Sequence, residues 1–241
     1  MNIIHKIKKT LQAPPKPKVS YNQDGLTTVH NTGFMHLPDF GKAEAAGAAT
    51  DSWKNIHWRV HTMLWAANHC MHIDGDFVEC GTNKGGFARA ICEYIDINNS
   101  GKSFYLLDTF GGLIDSLLTE QEKEAGKKEH FEDVYHDCYD EVVKTFLAFP
   151  VVKIIKGVVP DTLTKVTSTK IAFLSIDMNS IVPEIAALNY FWDKISTGGM
   201  IVLDDYAYVT CDLQYEAHNS WAATKGIKIL SLPTGQGLIV K

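Results

Sequence analysis

The chain has 241 residues, of which 45% are hydrophobic and 21% are charged, and its formal net charge is -5. This length and composition predict one large α/β domain, and the acidic balance argues against a nucleic-acid-binding surface. No apolar run approaches the about 18 residues that would span a bilayer, so no membrane segment is predicted. The five cysteines include no C-x-x-C pair, which favours a reducing, cytoplasmic compartment over a disulfide framework or a cysteine zinc site.

Residues 1–49 are predicted to form an irregular N-terminal arm. The segment APPKPK at 13–18 is typical of a stiff, extended spacer, and the glycines and polar residues after it show no sustained period. Such an arm is either mobile, a lid over a site, or an oligomerisation segment that binds a partner subunit. The folded domain is expected to occupy residues 50–241.

A helix is predicted between Asp51 and Met71, because apolar residues recur there at helical spacing, with Asp51 or Ser52 as the N-cap. Beyond it strands and helices alternate. Strands are predicted at 77–80, 103–108, 152–157, 171–177, 200–205, 228–233 and 237–241, and helices at 86–97, 133–149, 181–195 and 211–225.

The first five of these strands are near-continuous apolar runs, which is typical of parallel strands buried on both faces. Their alternation with helices predicts an open, doubly wound, Rossmann-like sheet with right-handed crossovers. The last two strands are joined by the turn residues TGQG and are predicted to form an antiparallel hairpin. The expected fold is therefore α/β, with a mostly parallel sheet of seven strands.

Three glycines follow the first strand, in the stretch FVECGTNKGGFARAI that begins at Phe77. They are Gly81, Gly85 and Gly86, and Glu79 lies two residues before the first of them. A turn needs one or two glycines, and glycine also lets the backbone come close to other atoms. We interpret this loop as a backbone shaped to lie against a ligand.

Acidic residues recur where the predicted strands end. Four of the first five strands end with an acid, at Glu79, Asp108, Asp177 and the pair Asp204–Asp205. The other strand ends at Gly157. One such acid most often caps the following helix. Repetition at four strand ends favours a shared site, because ligands of these sheets bind beyond the carboxyl ends of the strands.

Asp108 stands where nucleotide-binding α/β folds place an acid that accepts hydrogen bonds from ribose hydroxyls. A dinucleotide is a poor fit, since G-x-G-x-x-G is absent and Asp108 lies further from Gly81 than the about 20 residues of that fingerprint. The triphosphate motif G-x-x-x-x-G-K-[ST] is absent as well. An adenosine-bearing ligand without a pyrophosphate fits better, and S-adenosylmethionine is the common one.

Asp177, Asp204 and Asp205 form a second group. If their strands are neighbours, the carboxylates lie a few ångströms apart, and two like charges at about 5 Å repel by roughly 3 kcal/mol at an effective dielectric constant near 20. Such a group needs a cation or raised pKa values, and Mg²⁺ suits all-oxygen, acidic ligands. The alternative is that Asp205 caps the following helix and only two acids converge.

Five motifs in this order resemble the macrocin O-methyltransferase family of class I methyltransferases. They are ECGTNKGG from Glu79, DTFGG from Asp108, GVVPDTL from Gly157, ID at 176–177 and GGMIVLDDY from Gly198. The similarity runs from about Ile56 to the C-terminus. It implies S-adenosylmethionine as methyl donor, Mg²⁺ that holds hydroxyl oxygens of a sugar or similar polyol, and a homodimer or higher homo-oligomer.

The resemblance also assigns roles by position. It places Glu79 and Gly81 beside the methionine end of the cofactor, Asp108 on the ribose, and Gly157 and Val158 near the adenine. The remaining loop residues expected at the cofactor are Cys80, Thr82, Gly85, Thr109 and Phe110, and the expected metal ligands are Asp177, Asp204 and Asp205, of which Asp177 also lies by the cofactor.

One departure concerns the acceptor. The family continues its fourth-strand aspartate as D-x-D-x-Y, whereas this chain reads Asp177, Met178, Asn179, Ser180, Ile181. A second acid and a tyrosine are therefore missing, although Asn179 still offers an oxygen. This difference affects the predicted substrate more than the predicted family.

The expected activity is Mg²⁺-assisted O-methylation of a sugar hydroxyl by S-adenosylmethionine. Asp177, Asp205 and His218 are the candidate general bases, and the residues do not decide among them. Alternatives are a catechol-like or phosphoramidate acceptor, or a cofactor-binding protein of this fold without turnover. A nucleotide-binding oxidoreductase is disfavoured by the missing dinucleotide fingerprint.

Overall fold

The N-terminal arm is more ordered than the sequence predicted. A computed structural model describes residues 17–131 and 134–241, so the beginning of the arm, with most of APPKPK, lies outside the described residues. The rest is not irregular. It forms a hairpin of strands β1 (Tyr21–Gln23) and β2 (Leu26–Thr28), followed by helix α1 (Pro38–Ala48). A role as lid or oligomerisation segment stays a prediction.

Helix α1 packs closely on the helix that follows the glycine loop. It begins at Pro38, whose fixed φ suits the first helical position. Its buried face consists of Phe40, Ala43 and Gly47, and a Cβ on Gly47 would lie 2.7 Å from the carbonyl oxygen of Gly86. Two of these three residues are small, so the apolar period was too weak to predict this helix from the sequence.

The substitution Phe40→Ala is expected to lower the free energy of unfolding by about 3–5 kcal/mol, as for other buried aromatic rings. The Phe40 ring is 3% exposed and packs edge-on against Phe34 at 5.0 Å. Urea denaturation measures the effect, and Lys42→Ala, on the exposed face of the same helix, is the matched control. Equal stabilities would mean that α1 is a detached arm in solution.

Helix α2 (His57–Cys70) begins six residues later than the predicted start at Asp51. Asp51 and Asn55 adopt φ angles of 57° and 60°, and this left-handed conformation interrupts a right-handed helix. Neither Asp51 nor Ser52 is therefore its N-cap, a position that Ile56 occupies without a side-chain hydrogen bond.

A seven-stranded, mostly parallel sheet within the described residues confirms the predicted fold. Its strands are β3 (Asp76–Cys80), β4 (Phe104–Asp108), β5 (Val152–Lys156), β6 (Ile171–Ile176), β7 (Ile195–Leu203), β8 (Leu230–Ser231) and β9 (Gly237–Val240). The spatial order is β5-β4-β3-β6-β7-β9-β8. Strand β9 runs antiparallel to both β7 and β8, as the predicted C-terminal hairpin requires.

Helices cover both faces of this sheet. Those that remain are α3 (Gly86–Tyr94), α4 (Glu120–Glu124), α5 (Lys127–Phe131), α6 (Tyr139–Thr145), α7 (Ile181–Phe191) and α8 (Asp212–Thr224). The core is split by the sheet, since Phe77 packs with α1–α3 and its neighbour Val78 packs with α7 and α8. Helix α6 is shorter than the predicted helix at 133–149. Among the described residues no helix could cross a membrane.

The order of the strands defines where a ligand would bind. The chain moves outward from β3 to β4 and β5, and then returns to place β6 on the other side of β3. The topological switch point therefore lies between the carboxyl ends of β3 and β6, the place at which open α/β sheets bind ligands.

Candidate active site

A cavity of about 410 Å³ opens at the carboxyl ends of β3, β4, β6 and β7. This volume falls in the usual range of small-molecule sites. Ten of the fourteen predicted cofactor, metal and catalytic residues line it. They are Glu79, Gly81, Thr82, Asp108, Thr109, Phe110, Val158, Asp177, Asp204 and Asp205.

The register of the sheet brings the acidic strand ends together. Cys80 pairs with Ile176 across β3 and β6, and Ile176 pairs with Leu203 across β6 and β7. The next residues of the two later strands, Asp177 and Asp204, therefore lie side by side. Their backbone N–H groups continue the ladder, that of Asp204 donating to the carbonyl oxygen of Ile176 at 2.9 Å.

Four of the predicted site residues do not line the cavity. Cys80 is fully buried with the second half of the core, and this burial raises the pKa of its thiol. Gly85 faces Phe146, whose ring would lie 2.7 Å from an added Cβ. Gly157 and His218 complete this group. For Cys80, Gly85 and Gly157 a contact with the cofactor stays a prediction from the motif position.

The backbone at position 81 requires glycine, which accounts for the first of the three glycines in the loop. The φ of Gly81 is 91°, and a Cβ would lie 1.8 Å from the carbonyl oxygen of Asp177. No other residue fits there without moving the end of β6. The first glycine therefore permits two strand ends to meet at the cavity, and Gly85 permits contact with Phe146. Both glycines thus allow close approaches within the protein itself, and because Gly81 also lines the cavity, contact of the loop with a ligand stays a prediction.

Asp108 is held by the backbone of two loops. Its Oδ2 accepts a hydrogen bond from the Asn83 N–H at 2.7 Å, and its Oδ1 accepts one from the Phe110 N–H at 2.6 Å. Asn83 and Phe110 have φ angles of 48° and 54°, which non-glycine residues seldom adopt. Strain of this kind concentrates at functional sites, where the surrounding structure maintains it.

Glu79 is almost completely buried at the bottom of the cavity, with 2% of its surface exposed. Its Oε2 has no hydrogen-bond partner among the described residues. Burial raises the pKa of this carboxyl well above its usual value. A buried acid without a partner is costly, so Glu79 is a candidate to bind a polar or cationic group of a ligand.

The three remaining acids converge as the sequence predicted. One oxygen each from Asp177, Asp204 and Asp205 lie within 4.8 Å of one another. The alternative that Asp205 caps the next helix is wrong, because α8 begins at Asp212 with Cys211 as its N-cap. The Oδ2 of Asp205 is buried and has no partner among the described residues.

Burial and mutual repulsion disfavour the charged forms of two of these acids. The pKa of Asp177 is raised well above its usual value, mainly by burial and then by Asp204 and Asp205. The pKa of Asp205 is raised to about 7, again mainly by burial and then by Asp204 and Glu184. A bound divalent cation would relieve both effects.

Arg59 is a cation at this site that the sequence analysis missed. Its Nη1 donates to Oδ2 of Asp204 at 2.5 Å, and the other oxygen of Asp204 accepts from Nε2 of Gln236 at 2.9 Å. Arg59 is one of only two arginines in the chain, Arg89 being the other. That rarity was the one signal available, because nothing in the helical pattern of α2 marks a residue whose partner comes from another element.

His218 is removed from the candidate bases by its position. It is 1% exposed on α8, and its Nε2 lies 3.0 Å from Oε2 of Glu184 on α7. The sequence suggested His218 because it lies on the helix that follows the Asp204–Asp205 pair, but the side chain is enclosed between two helices. Asp177 and Asp205 therefore stay as the candidates.

Comparison with known proteins identifies the family. Residues 58–229 match the model of the family described as macrocin O-methyltransferase (TylF), which is more than half of the chain. The chain belongs to the macrocin O-methyltransferase family. It is therefore an enzyme that transfers methyl groups to oxygen.

A sequence relative and two solved structures resemble this chain. The curated mycinamicin III 3''-O-methyltransferase of Micromonospora griseorubida is 23% identical over 187 residues, covering 68% of this chain and 72% of that protein. The structure of the O-methyltransferase NovP superposes with a TM-score of 0.66 at 19% identity, over 76% of this chain and 79% of that one. The apo structure of CalS11, a TDP-rhamnose 3'-O-methyltransferase, gives 0.52 at 15% identity, over 75% and 78%.

After Asp177, where the chain departs from the macrocin O-methyltransferase pattern, Asn179 contacts a tyrosine from another segment. Nδ2 of Asn179 donates a hydrogen bond to Oη of Tyr135 at 3.0 Å, and both residues line the cavity. Tyr135 comes from the segment between α5 and α6, and burial followed by the charge of Asp177 raises the pKa of its phenol. A tyrosine from a distant segment thus lies beside the altered motif.

Proposed function

We propose that this enzyme transfers a methyl group from S-adenosylmethionine to a hydroxyl of a sugar or glycosylated small molecule, with assistance from Mg²⁺. The main support is one juxtaposition. A single cavity contains a carboxylate anchored by two backbone N–H groups, Asp108, and beside it three carboxylates that converge within 4.8 Å. Asp108 suits ribose hydroxyls, and the group of three carboxylates suits a hard divalent cation.

The donor would be held by residues from the first two strand ends. Asp108 would accept hydrogen bonds from the ribose hydroxyls, because its carboxylate is already fixed in direction by Asn83 and Phe110. Glu79 would neutralise the ammonium group of the methionine part, which would give its buried Oε2 a partner. Val158 would pack near the adenine.

The metal would be held by Asp177, Asp204 and Asp205. The fit rests on the orphaned Oδ2 of Asp205 and on the raised pKa values, both of which a cation would relieve. A divalent ion bound there supplies orientation of an acceptor hydroxyl and a lower hydroxyl pKa. Oxygen ligands alone point to Mg²⁺ rather than to a softer metal.

The residues of the chain would then support an in-line displacement. The acceptor oxygen forms a bond to the methyl carbon while the bond from that carbon to the sulfonium sulfur breaks, which leaves S-adenosylhomocysteine as a neutral thioether. The hydroxyl proton passes to a carboxylate, for which Asp177 and Asp205 are the candidates. Alignment at near-attack distance accounts for much of the expected rate.

A sugar acceptor is supported by the names of relatives. CalS11 is described as a TDP-rhamnose methyltransferase, and the mycinamicin enzyme as a 3''-O-methyltransferase. Asn179 and Tyr135 offer hydrogen-bonding groups at the acceptor side of the cavity. A homo-oligomer and a cytoplasmic location stay predictions of the sequence.

The test is transfer of a labelled methyl group from S-adenosylmethionine to a panel of acceptors. The panel contains nucleotide sugars, glycosylated macrolides, catechols and a phosphoramidate, each assayed with Mg²⁺ and with a chelator. We expect product only with sugar hydroxyls and only with the metal. Transfer to a catechol would establish the alternative acceptor, and no transfer despite cofactor binding would indicate a protein without turnover on these acceptors.

A further inference from the structure

The N-terminal hairpin reaches the candidate metal centre through one arginine. Arg59 donates from Nε and Nη2 to the two carboxylate oxygens of Asp24, at 3.0 and 3.4 Å, and from Nη1 to Asp204 at 2.5 Å. The three side chains are 12%, 7% and 3% exposed, in the order Arg59, Asp24, Asp204. One largely buried cation thus joins two acids that lie far apart in the sequence.

Asp24 occupies the turn between β1 and β2, where its φ is 51°. Its Oδ1 also accepts a hydrogen bond from the Tyr208 hydroxyl at 3.2 Å. The guanidinium of Arg59 lies 4.8 Å from the centre of the Tyr208 ring. Arg59, Tyr208 and Asp204 all line the cavity. Asp24 therefore contacts two of the lining residues, Arg59 and Tyr208.

Among the three acids of the metal group, Asp204 alone has side-chain donors on both oxygens in the part of the chain that the structure describes. Arg59 holds one oxygen and Gln236 the other. Asp205 has an oxygen without any partner there. Groups that fix a metal ligand from outside set its direction, and their loss typically lowers metal affinity 10–100-fold.

We propose that Asp24 and Arg59 are positioning residues of the metal centre, which orient Asp204 and make the N-terminal hairpin a part of the active site. The charge of Asp24 also favours binding of a metal ion. It offsets the charge of Arg59, and without it an unneutralised guanidinium would lie beside the acids and repel a cation. This inference rests on the proposed function, because it requires that Asp177, Asp204 and Asp205 bind a divalent ion.

The test is binding of Mn²⁺, followed by electron paramagnetic resonance, to the full chain and to Asp24→Asn. Asparagine has nearly the same shape and tolerates a positive φ, so the turn is preserved while the ion pair is lost. We expect about 10-fold weaker Mn²⁺ binding. Binding of S-adenosylhomocysteine in a chelator should be unchanged. Asp39→Asn, which removes an exposed acid of α1, is the matched control and should bind Mn²⁺ as the wild type does.

A second variant, Asp24→Glu, separates orientation from charge. It keeps the charge but lengthens the side chain, so a positioning role predicts weakened Mn²⁺ binding, and wild-type affinity in this variant would overturn that role. Folded Asp24→Asn protein with wild-type Mn²⁺ affinity would overturn the inference and leave the proposed function intact. Failure of the wild type itself to bind Mn²⁺ would overturn the proposed metal and the inference with it.

Discussion

The substitution Asp108→Ala is expected to weaken S-adenosylhomocysteine binding about 100-fold or more. Hydrogen bonds to a charged group contribute about 1.5–3 kcal/mol each, and two ribose hydroxyls would lose them together. The same substitution leaves the N–H groups of Asn83 and Phe110 without their acceptor, since they donate hydrogen bonds to the Asp108 carboxylate at 2.7 and 2.6 Å. Isothermal titration calorimetry in a chelator measures the change without involvement of the metal group.

A ligand analogue makes this experiment specific to the ribose. S-adenosylhomocysteine without its 2′-hydroxyl should bind the wild type more weakly, and this penalty should largely disappear in Asp108→Ala. The control Asp74→Ala removes an exposed acid that pairs with Lys170 and lies just before the amino end of β3, away from the cavity. An equal penalty for the analogue in both proteins would place the ribose elsewhere in the cavity.

The sheet could be predicted because its signal is local. The run 171–176 is buried at every position and apolar at all of them except Ser175, as is typical of strands buried on both faces, and each strand of this type is followed by residues of the site. Once the strands are known to be parallel, their carboxyl ends share one edge. The convergence of Asp177, Asp204 and Asp205 followed from this reasoning without knowledge of any side-chain contact.

The missed features depend on contacts between distant segments. Arg59 meets Asp24 at a separation of 35 residues and Asp204 at a separation of 145, and no periodicity encodes such pairs. His218 was misassigned for the converse reason. It is near Asp205 in the sequence, but its direction on α8 depends on the packing of that helix against Glu184 of α7.

The N-terminal segment illustrates the limit of composition as a guide. Its helix α1 is rich in alanine and glycine, so its buried face differs little in hydropathy from its exposed face. What stabilises the helix is close contact with α3, which Gly47 permits. The hairpin before it is anchored by Asp24, through an ion pair that only the folded protein contains.

The substitution Asp205→Asn is expected to lower methyl transfer by about 10²–10⁴-fold, the range in which a general base contributes, and to abolish stabilisation by Mg²⁺. Cofactor binding in a chelator should persist, because Asp108 and Glu79 are untouched. Asp205 has a buried oxygen without a partner in the described part of the chain, and its pKa is raised to about 7 mainly by burial.

A matched measurement of stability distinguishes this loss from a folding defect. At pH 8 the ionised carboxylate of Asp205 is disfavoured in the folded, metal-free protein, so the neutral asparagine should raise the unfolding temperature in a chelator. The variant would then be more stable and less active, whereas Asp74→Asn should change neither property. A lower unfolding temperature together with an intact response to Mg²⁺ would contradict the assignment of Asp205 to the metal, because removal of a ligand cannot leave the response of the metal site unchanged.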